Sequence, residues 1–86
     1  MVTRRLKWDS KAFKALVKAF SPMPPPIREN ALQKVINEIE KYVESEGRDM
    51  VYAEDVLKVS KVILEHKAKY MYESLIEALR SEGFKV

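Results

Sequence analysis

The chain has 86 residues, 47% of them hydrophobic, with no cysteine and a formal net charge of +3. The length favours one domain with one modest core, and the hydrophobic fraction excludes a disordered tail. The lack of cysteine excludes disulfides, thiolate metal sites, cysteine-ligated iron–sulfur clusters and cysteine nucleophiles. No apolar run reaches the roughly 18 residues of a membrane span, and no apolar signal core follows the basic start. We therefore expect a cytoplasmic protein that does not use a membrane as its partner.

The positive charge is concentrated at the start of the chain. Residues 1–20 hold six basic side chains and one acidic side chain, whereas the remainder holds ten bases and twelve acids. The simpler interpretation is a solvated helix face, and the functional one is a docking surface for nucleic acid or an acidic protein. The bases concerned are Arg4, Arg5, Lys7, Lys11, Lys14 and Lys18.

Helix 1 is predicted over residues 9–20, with Asp9 or Ser10 as its N-cap. One face carries apolar residues at helical spacing and the other carries lysines. The apolar residues are Phe13, Leu16, Val17 and Phe20, and the lysines are Lys11, Lys14 and Lys18. Trp8 lies one turn before Ala12, where we expect it in the core. A proline-rich joint over residues 21–26 then ends the helix.

Helix 2 is predicted over residues 26–46, because apolar residues recur along one face and polar residues along the other. Glu38, Glu40 and Glu44 could form an acid–base set, but we assign them to the solvated face. The predicted core of the whole chain is Phe13, Leu16, Phe20, Leu32, Val35, Ile36, Ile39, Val43, Val56, Leu57, Ile63 and Leu64.

Gly47 is predicted to end helix 2, because glycine adopts the left-handed backbone of a helix C-terminus readily. Met50, Val51 and Tyr52 favour a short extended segment. Asp55 follows in the first turn of helix 3, where an acid suits the positive end of the helix. Its carboxylate can also accept a hydrogen bond from a free backbone N–H group at that end.

Helix 3 is predicted to run unbroken over residues 53–82, because no Gly or Pro occurs before Gly83. The alternative is a kink near His66-Lys67 that folds a fourth helix back onto the chain. In the unbroken form, helices 1 and 2 do not reach the far half of helix 3. We therefore expect a homodimer, or docking to a protein partner, through residues 68–80. The interface residues would be Ala68, Tyr70, Met71, Leu75, Ile76 and Leu79.

No catalytic or cofactor site can be assembled from these residues. His66 is the only histidine, and no carboxylates lie at metal-ligand spacing around it. The chain has no glycine-rich phosphate loop. We therefore expect no enzyme activity, no metal and no cofactor.

The first resemblance is to the small C-terminal domain of the B subunit of light-independent protochlorophyllide reductase. The matching residues are Trp8 with Ala12, Pro26 with Arg28, Glu40, Gly47, and Val51 leading into Glu54-Asp55-Val56. The resemblance covers about residues 6–64, and helix 2 is about one turn longer than in that family. It implies a non-catalytic docking or accessory module, because a chain without cysteine cannot carry the redox chemistry of the reductase.

The second resemblance is to archaeal histones, through residues 47–56. The sequence from Gly47 to Val56 is similar to their second loop and the start of their third helix. This implies a DNA-binding dimer in which Arg48 contacts phosphate. The proline-rich joint departs from the family, because it replaces the first DNA-contacting loop. The further candidate contacts to DNA are Arg4, Arg5, Lys11, Lys14 and Lys18. With a net charge of only +3, we expect such binding to be weak.

Together these features predict a single all-α domain over residues 1–86, with a three-helix, histone-fold-like order of helix, loop, strand and helix. Its predicted parts are a basic N-terminal segment over residues 1–20, the proline-rich joint over 21–26, and a helical core over 26–82. The long third helix, or its kinked form with a fourth helix, completes the domain.

Overall fold

The computed structural model describes residues 2–86, and in this part of the chain it contains four helices and two short strands. The fold is therefore all-α, as predicted. The elements in order are β1 (Lys7–Trp8), α1 (Ser10–Phe20), α2 (Pro25–Ser45), β2 (Met50–Val51), α3 (Ala53–Leu64) and α4 (Lys69–Ser81).

The helix ends follow local signals in the sequence. Asp9 caps α1, since its Oδ1 accepts the backbone N–H groups of Lys11 and Ala12, both at 3.0 Å. Helix α2 begins at Pro25, one residue before the predicted start, and proline suits that first turn because its missing N–H is not needed there. Gly47 follows α2 with φ at +72°, the left-handed backbone predicted for it.

The strand β1 is a feature that the local sequence pattern did not predict. It pairs in parallel with β2, with Lys7 opposite Met50 and Trp8 opposite Val51. The Asp9 N–H group extends the pairing by donating to the Val51 carbonyl at 2.9 Å. Two residues are too few to show alternation, so only the distant partner strand reveals that this segment is extended.

The core lies between the four helices, and most of the predicted core residues are buried in it. Phe13, Leu57 and Ile63 are only partly buried and pack against its edge. Several buried residues were not predicted: Ala12, Ala15, Ala19, Met71, Leu75, Ala78 and Leu79. These are residues of α1 and α4, which shows that the core extends into the C-terminal part of the chain.

The unbroken helix over residues 53–82 is wrong, and the kinked alternative is the one observed. Helix α3 ends at Leu64, and α4 begins at Lys69 after Ala68, whose φ is −151° and ψ is 61°. The break needs no Gly or Pro, because folding α4 back against α1 buries Met71, Leu75 and Leu79 in the chain's own core.

Small side chains on α1 allow α4 to approach it closely. Ala12, Ala15 and Ala19 recur at helical spacing and are at most 3% exposed. Ala19 and Ala78 line the same hollow between the two helices. Alanines presented on one face let two helix backbones come near each other, and this contact compensates for the interruption of the helix between Leu64 and Lys69.

This packing predicts that Leu75→Ala destabilises the monomeric unit itself. Leu75 is completely buried, so emptying its site should lower the free energy of unfolding by about 2–5 kcal/mol. The neighbouring Ile76→Ala, at a partly exposed position of the same helix, serves as the control and should cost clearly less. Urea titrations followed by circular dichroism measure both values.

The same titrations test where the Leu75 contacts lie. Contacts within one chain give an unfolding midpoint that does not change with protein concentration, whereas contacts across a dimer raise it with concentration. A midpoint that rises with concentration in the wild type, and not in Leu75→Ala, would contradict the intramolecular packing of α4.

Candidate interaction surface

A buried carboxylate on α2 holds the N-terminal segment in place. Glu40 is completely buried, and its Oε2 accepts three hydrogen bonds from that segment. The donors are the backbone N–H of Arg5 at 2.8 Å, the backbone N–H of Leu6 at 2.9 Å, and the Trp8 indole Nε1 at 3.0 Å. We call this set of contacts the Glu40 anchor. It fixes the chain directly before β1 and orients the Trp8 ring.

The assignment of Glu40 to the solvated face of helix 2 is therefore wrong, while Glu38 and Glu44 are exposed as predicted. The spacing held a signal, because Glu40 follows Ile36 by four residues and precedes Val43 by three. These three positions share one helix face, and all three side chains are completely buried. The N-terminal segment covers this position and supplies the polar partners that make burial of the carboxylate tolerable.

Arg5 is occupied by acids of α2. Its Nη1 donates to both carboxylate oxygens of Glu44, at 3.0 and 2.8 Å, and its Nε lies 3.8 Å from Glu40 Oε1. The guanidinium therefore closes the exposed side of the Glu40 anchor. Arg5 is paired with acids of α2, although 57% of its side-chain surface remains exposed.

Arg48 is also held within the chain. Its two terminal nitrogens donate to Asp55, Nη1 to Oδ2 at 3.0 Å and Nη2 to Oδ1 at 2.7 Å. Nη2 also contacts Glu46 at 2.9 Å. Asp55 Oδ2 accepts the backbone N–H of Tyr52 at 3.0 Å, which is the predicted contact at the start of α3. This Arg48–Asp55 pair joins the loop after α2 to the beginning of α3.

The pair changes the acid–base behaviour of both residues. Burial by itself raises the pKa of Asp55, but the hydrogen bonds from Arg48 and Tyr52 and the charges of Arg48 and Lys58 outweigh burial, so the net pKa is lowered. The hydrogen bonds to Asp55 and Glu46 raise the pKa of Arg48. Both residues thus keep their charges and stabilise each other.

The other candidate nucleic-acid contacts differ from Arg5 and Arg48 in their surroundings. The Arg4 guanidinium lies over the Phe13 ring, 3.9 Å from its centroid. Lys11, Lys14 and Lys18 are exposed along one side of α1. The structure therefore brings together four of the six predicted basic residues near α1 and directs the other two into internal ion pairs.

Because α4 folds back onto the chain, part of the predicted partner interface over residues 68–80 is buried and part of it remains exposed. Met71, Leu75 and Leu79 are buried within the chain, and Ala68 and Ile76 are partly buried. Tyr70 is the exception, with 66% of its surface exposed. The reason for expecting an interface there, apolar side chains out of reach of the first two helices, is therefore wrong.

A different apolar surface lies between α2 and α3. Tyr42, Val59, Val62 and Ile63 line a hollow of about 440 Å³ there, with Lys58 among the polar residues at its edge. Val62 is 74% exposed, the largest exposure among the large hydrophobic residues that the structure reveals. Sequence reasoning missed this surface because it assigned Ile63 to the core.

No group of three or more His, Cys, Asp or Glu side chains able to hold a metal ion occurs among residues 2–86. Within that same part of the chain, each helix is too short or too polar to cross a membrane. No protein-family model, curated protein or solved structure significantly matches this chain.

The Glu40 anchor predicts a large and graded effect of substitutions at this position. Glu40→Gln keeps the shape but removes the charge from three hydrogen bonds, and should cost about 1.5–3 kcal/mol of unfolding free energy. Glu40→Leu leaves three donors without an acceptor and should cost about 3 kcal/mol or more. Glu44→Gln, at the neighbouring exposed acid, is the matched control and should cost less than about 1 kcal/mol.

Urea denaturation followed by Trp8 fluorescence measures these differences, because Trp8 is the only tryptophan and is buried. Emission of folded Glu40→Leu should also shift to longer wavelength as the indole loses its partner and the segment loosens. Equal stabilities of Glu40→Leu and Glu44→Gln would show that the anchor contributes nothing.

The Arg48–Asp55 pair predicts a specific acid sensitivity. The pKa of Asp55 in the folded state lies below its unfolded value of about 3.9, so its stabilising contribution is present above that pH. The contribution is lost as pH falls through the lowered folded-state pKa. Asp55→Asn should therefore be less stable than the wild type at pH 7, with a smaller loss of stability on acidification.

Arg48→Met provides the matched control, because it removes the cation and leaves the carboxylate. Together with the double variant, it completes a cycle in which the second substitution should have little further effect on the acid sensitivity. Unfolding midpoints at neutral pH and at about pH 3 provide the measurement. Full wild-type acid sensitivity in Asp55→Asn would contradict the role given to this pair.

Proposed function

We propose that this chain is a non-catalytic, protein-binding accessory module, of the kind implied by its resemblance to the C-terminal domain of the reductase B subunit. The observation that carries the proposal is the direct contact between two residues of that resemblance, Trp8 and Glu40. Their hydrogen bond of 3.0 Å is buried and fixes the N-terminal segment on α2. Two residues of the resemblance that lie 32 positions apart in the chain are thus in direct contact. A chance match of common residues gives no reason to expect such a contact.

The placement of the remaining motif residues also supports a scaffold role for them. Ala12 is buried beneath α4, Gly47 ends α2, and Val51 forms the strand that pairs with β1. Asp55 holds Arg48 and the start of α3. The motif residues thus hold the elements of the fold together, and binding is left to other, exposed residues.

Two further observations support binding over catalysis. Glu40 Oε2 and both carboxylate oxygens of Asp55 accept hydrogen bonds, and neither residue lines the hollows beside α1 or between α2 and α3. Large apolar side chains are exposed at the same time, with Val62 at 74% and Tyr70 at 66%. Val62 adjoins Tyr42, Val59 and Ile63 in one hollow, and contiguous exposed apolar surface is typical of protein–protein contact sites.

DNA binding is the second candidate function, because Lys11, Lys14 and Lys18 lie exposed on one side of α1. The histone-like version of this hypothesis assigns the phosphate contact to Arg48. That guanidinium makes its charged hydrogen bonds to Asp55 and Glu46, so binding phosphate requires it to exchange them. We therefore rank DNA binding second.

Titration of a fluorescent DNA duplex across a range of salt concentrations separates the two functions. For the accessory module, we expect only weak binding that disappears at about 0.15 M ionic strength, because few phosphates are neutralised. Arg48→Met should bind DNA as the wild type does, whereas Lys14→Gln with Lys18→Gln should reduce the low-salt binding.

Circular dichroism of each variant controls for loss of fold. Micromolar or tighter binding that persists at physiological salt, and that folded Arg48→Met loses, would overturn the accessory-module proposal in favour of the DNA-binding dimer.

A further inference from the structure

The exposed side of α1 combines a row of lysines with an apolar hollow. Phe13, Val17 and Leu32 line a hollow of about 330 Å³ between α1 and α2. Val17 is 37% exposed within it, and Lys14 and Lys18 directly follow the two apolar residues of α1 in sequence. We call the hollow, together with Arg4, Lys11, Lys14 and Lys18, the basic strip.

The cations of the strip are not neutralised by the rest of the domain. Among residues 2–86, the ion pairs formed by arginines use Arg5, Arg48 and Arg80, and no carboxylate lies within 4 Å of Arg4, Lys11, Lys14 or Lys18 in that part of the chain. The acids nearest α1 do not form an ion pair with these cations: Asp9 accepts the N-cap hydrogen bonds, and Glu73 and Glu77 of α4 share with Lys18 the hollow between α1 and α4. Glu29 and Arg28 also line the hollow, at its far side on α2. The hollow thus has Arg4 at its edge, and the lysines of the basic strip lie on the neighbouring exposed face of α1.

The scaffold fixes the position of one of these cations. The backbone N–H of Arg5 is held by Glu40, which places Arg4 next to it at the edge of the hollow. The Arg4 guanidinium then lies 3.9 Å from the centroid of Phe13, and Phe13 meets the Trp8 ring edge to face at 5.4 Å. A cation held flat on a supported aromatic ring needs little ordering on binding, which favours affinity.

The spacing of the lysines matches that of acids on a partner helix. Lys11, Lys14 and Lys18 span seven residues, or about 10.5 Å along α1 at 1.5 Å per residue. Acids at positions i, i+3 and i+7 of a second helix lying beside α1 have the same spacing. Apolar residues on the adjacent face of that helix would enter the hollow beside Val17. Such a helix would satisfy both the charges and the apolar surface of the strip.

We propose that the basic strip binds an acidic amphipathic helix of a partner protein. The inference rests on the proposed accessory-module function and specifies its binding surface and the chemistry of its partner. An acidic helix fits better than duplex DNA because it covers the apolar hollow, which phosphates cannot do. The charge of the lysine row sets the orientation of the partner and the rate of encounter, and the hollow supplies the apolar contact.

The test uses a synthetic helical peptide of about 20 residues, long enough to populate a helix, with a Leu row and an adjacent Glu row. A control peptide has Gln in place of every Glu and keeps the Leu row. A second control has Ser in place of every Leu. Binding is measured by fluorescence anisotropy at about 0.15 M ionic strength, and a DNA duplex is titrated in parallel.

The protein variants are Lys14→Glu with Lys18→Glu, which reverses the charge of the strip, and Val17→Ser, which removes its exposed apolar side chain. Lys34→Glu with Lys67→Glu is the matched control, because it changes the net charge equally at exposed positions outside the hollow. Val62→Ser tests the hollow between α2 and α3 instead. Circular dichroism confirms that each variant is folded.

The proposal expects the Glu–Leu peptide to bind the wild type, and the strip charge reversal to weaken binding by roughly tenfold or more. Val17→Ser should weaken it as well, both control peptides should bind more weakly, and Lys34→Glu with Lys67→Glu should have little effect.

Four outcomes would overturn the basic strip. If the wild type does not bind the Glu–Leu peptide, or if the two lysine pairs weaken binding equally, the strip is not the binding surface. Loss of peptide binding in Val62→Ser alone also rejects the strip but keeps the accessory-module function with another surface. Tight DNA binding at physiological salt without peptide binding rejects both proposals.

Discussion

The structure depends on a single buried carboxylate. Glu40 Oε2 accepts hydrogen bonds from the backbone N–H groups of Arg5 and Leu6 and from the indole of Trp8, at 2.8, 2.9 and 3.0 Å. Burying a carboxylate costs free energy unless hydrogen bonds satisfy it, so α2 is stable in this position only while the N-terminal segment covers it. The segment in turn places Trp8 in the core and packs Val2 and Leu6 against it, and the hydrogen bonds to Glu40 fix its position. Segment and helix therefore stabilise each other, and β1 can pair with β2 because both are in place.

The Arg48–Asp55 pair performs a related task at the other strand. It joins the loop after α2 to the first turn of α3, while Asp55 also accepts the Tyr52 N–H group directly after β2. The two short strands would not be stable alone, since an isolated two-residue pairing supplies few hydrogen bonds. Each strand is held by a carboxylate from a neighbouring helix, and the parallel pairing aligns them. Charged side chains thus position the two strands that carry the core residues Trp8 and Val51.

The sequence correctly predicted those features that depend on residues close together along the chain. Asp9 caps α1, Gly47 ends α2, and Asp55 contacts the start of α3, and each acts within three residues or through its own backbone. The break at residues 65–68 was not preferred, because it lacks turn residues and is stabilised by α4 packing on α1. The burial of Glu40 and the strand β1 likewise depend on partners more than thirty residues away. The candidate interface over 68–80 failed for the same reason, since its apolar side chains had an intramolecular partner that helical periodicity cannot reveal.

Long-range contacts also determine which of the basic residues remain available. Arg4 and Arg5 are neighbours with the same side chain, yet Arg5 is paired with Glu44 while Arg4 lies over Phe13 at the edge of the hollow. The Glu40 anchor produces this difference by fixing the backbone between them and β1. Net charge alone cannot distinguish these two roles, because it counts both arginines equally. The scaffold thus holds Arg5 and Arg48 in ion pairs within the chain. The lysines of α1 form no such ion pair among residues 2–86 and lie near an apolar surface. In this domain the residues that hold the fold together and those that we propose to bind a partner are separate sets, joined at the short segment that Glu40 holds.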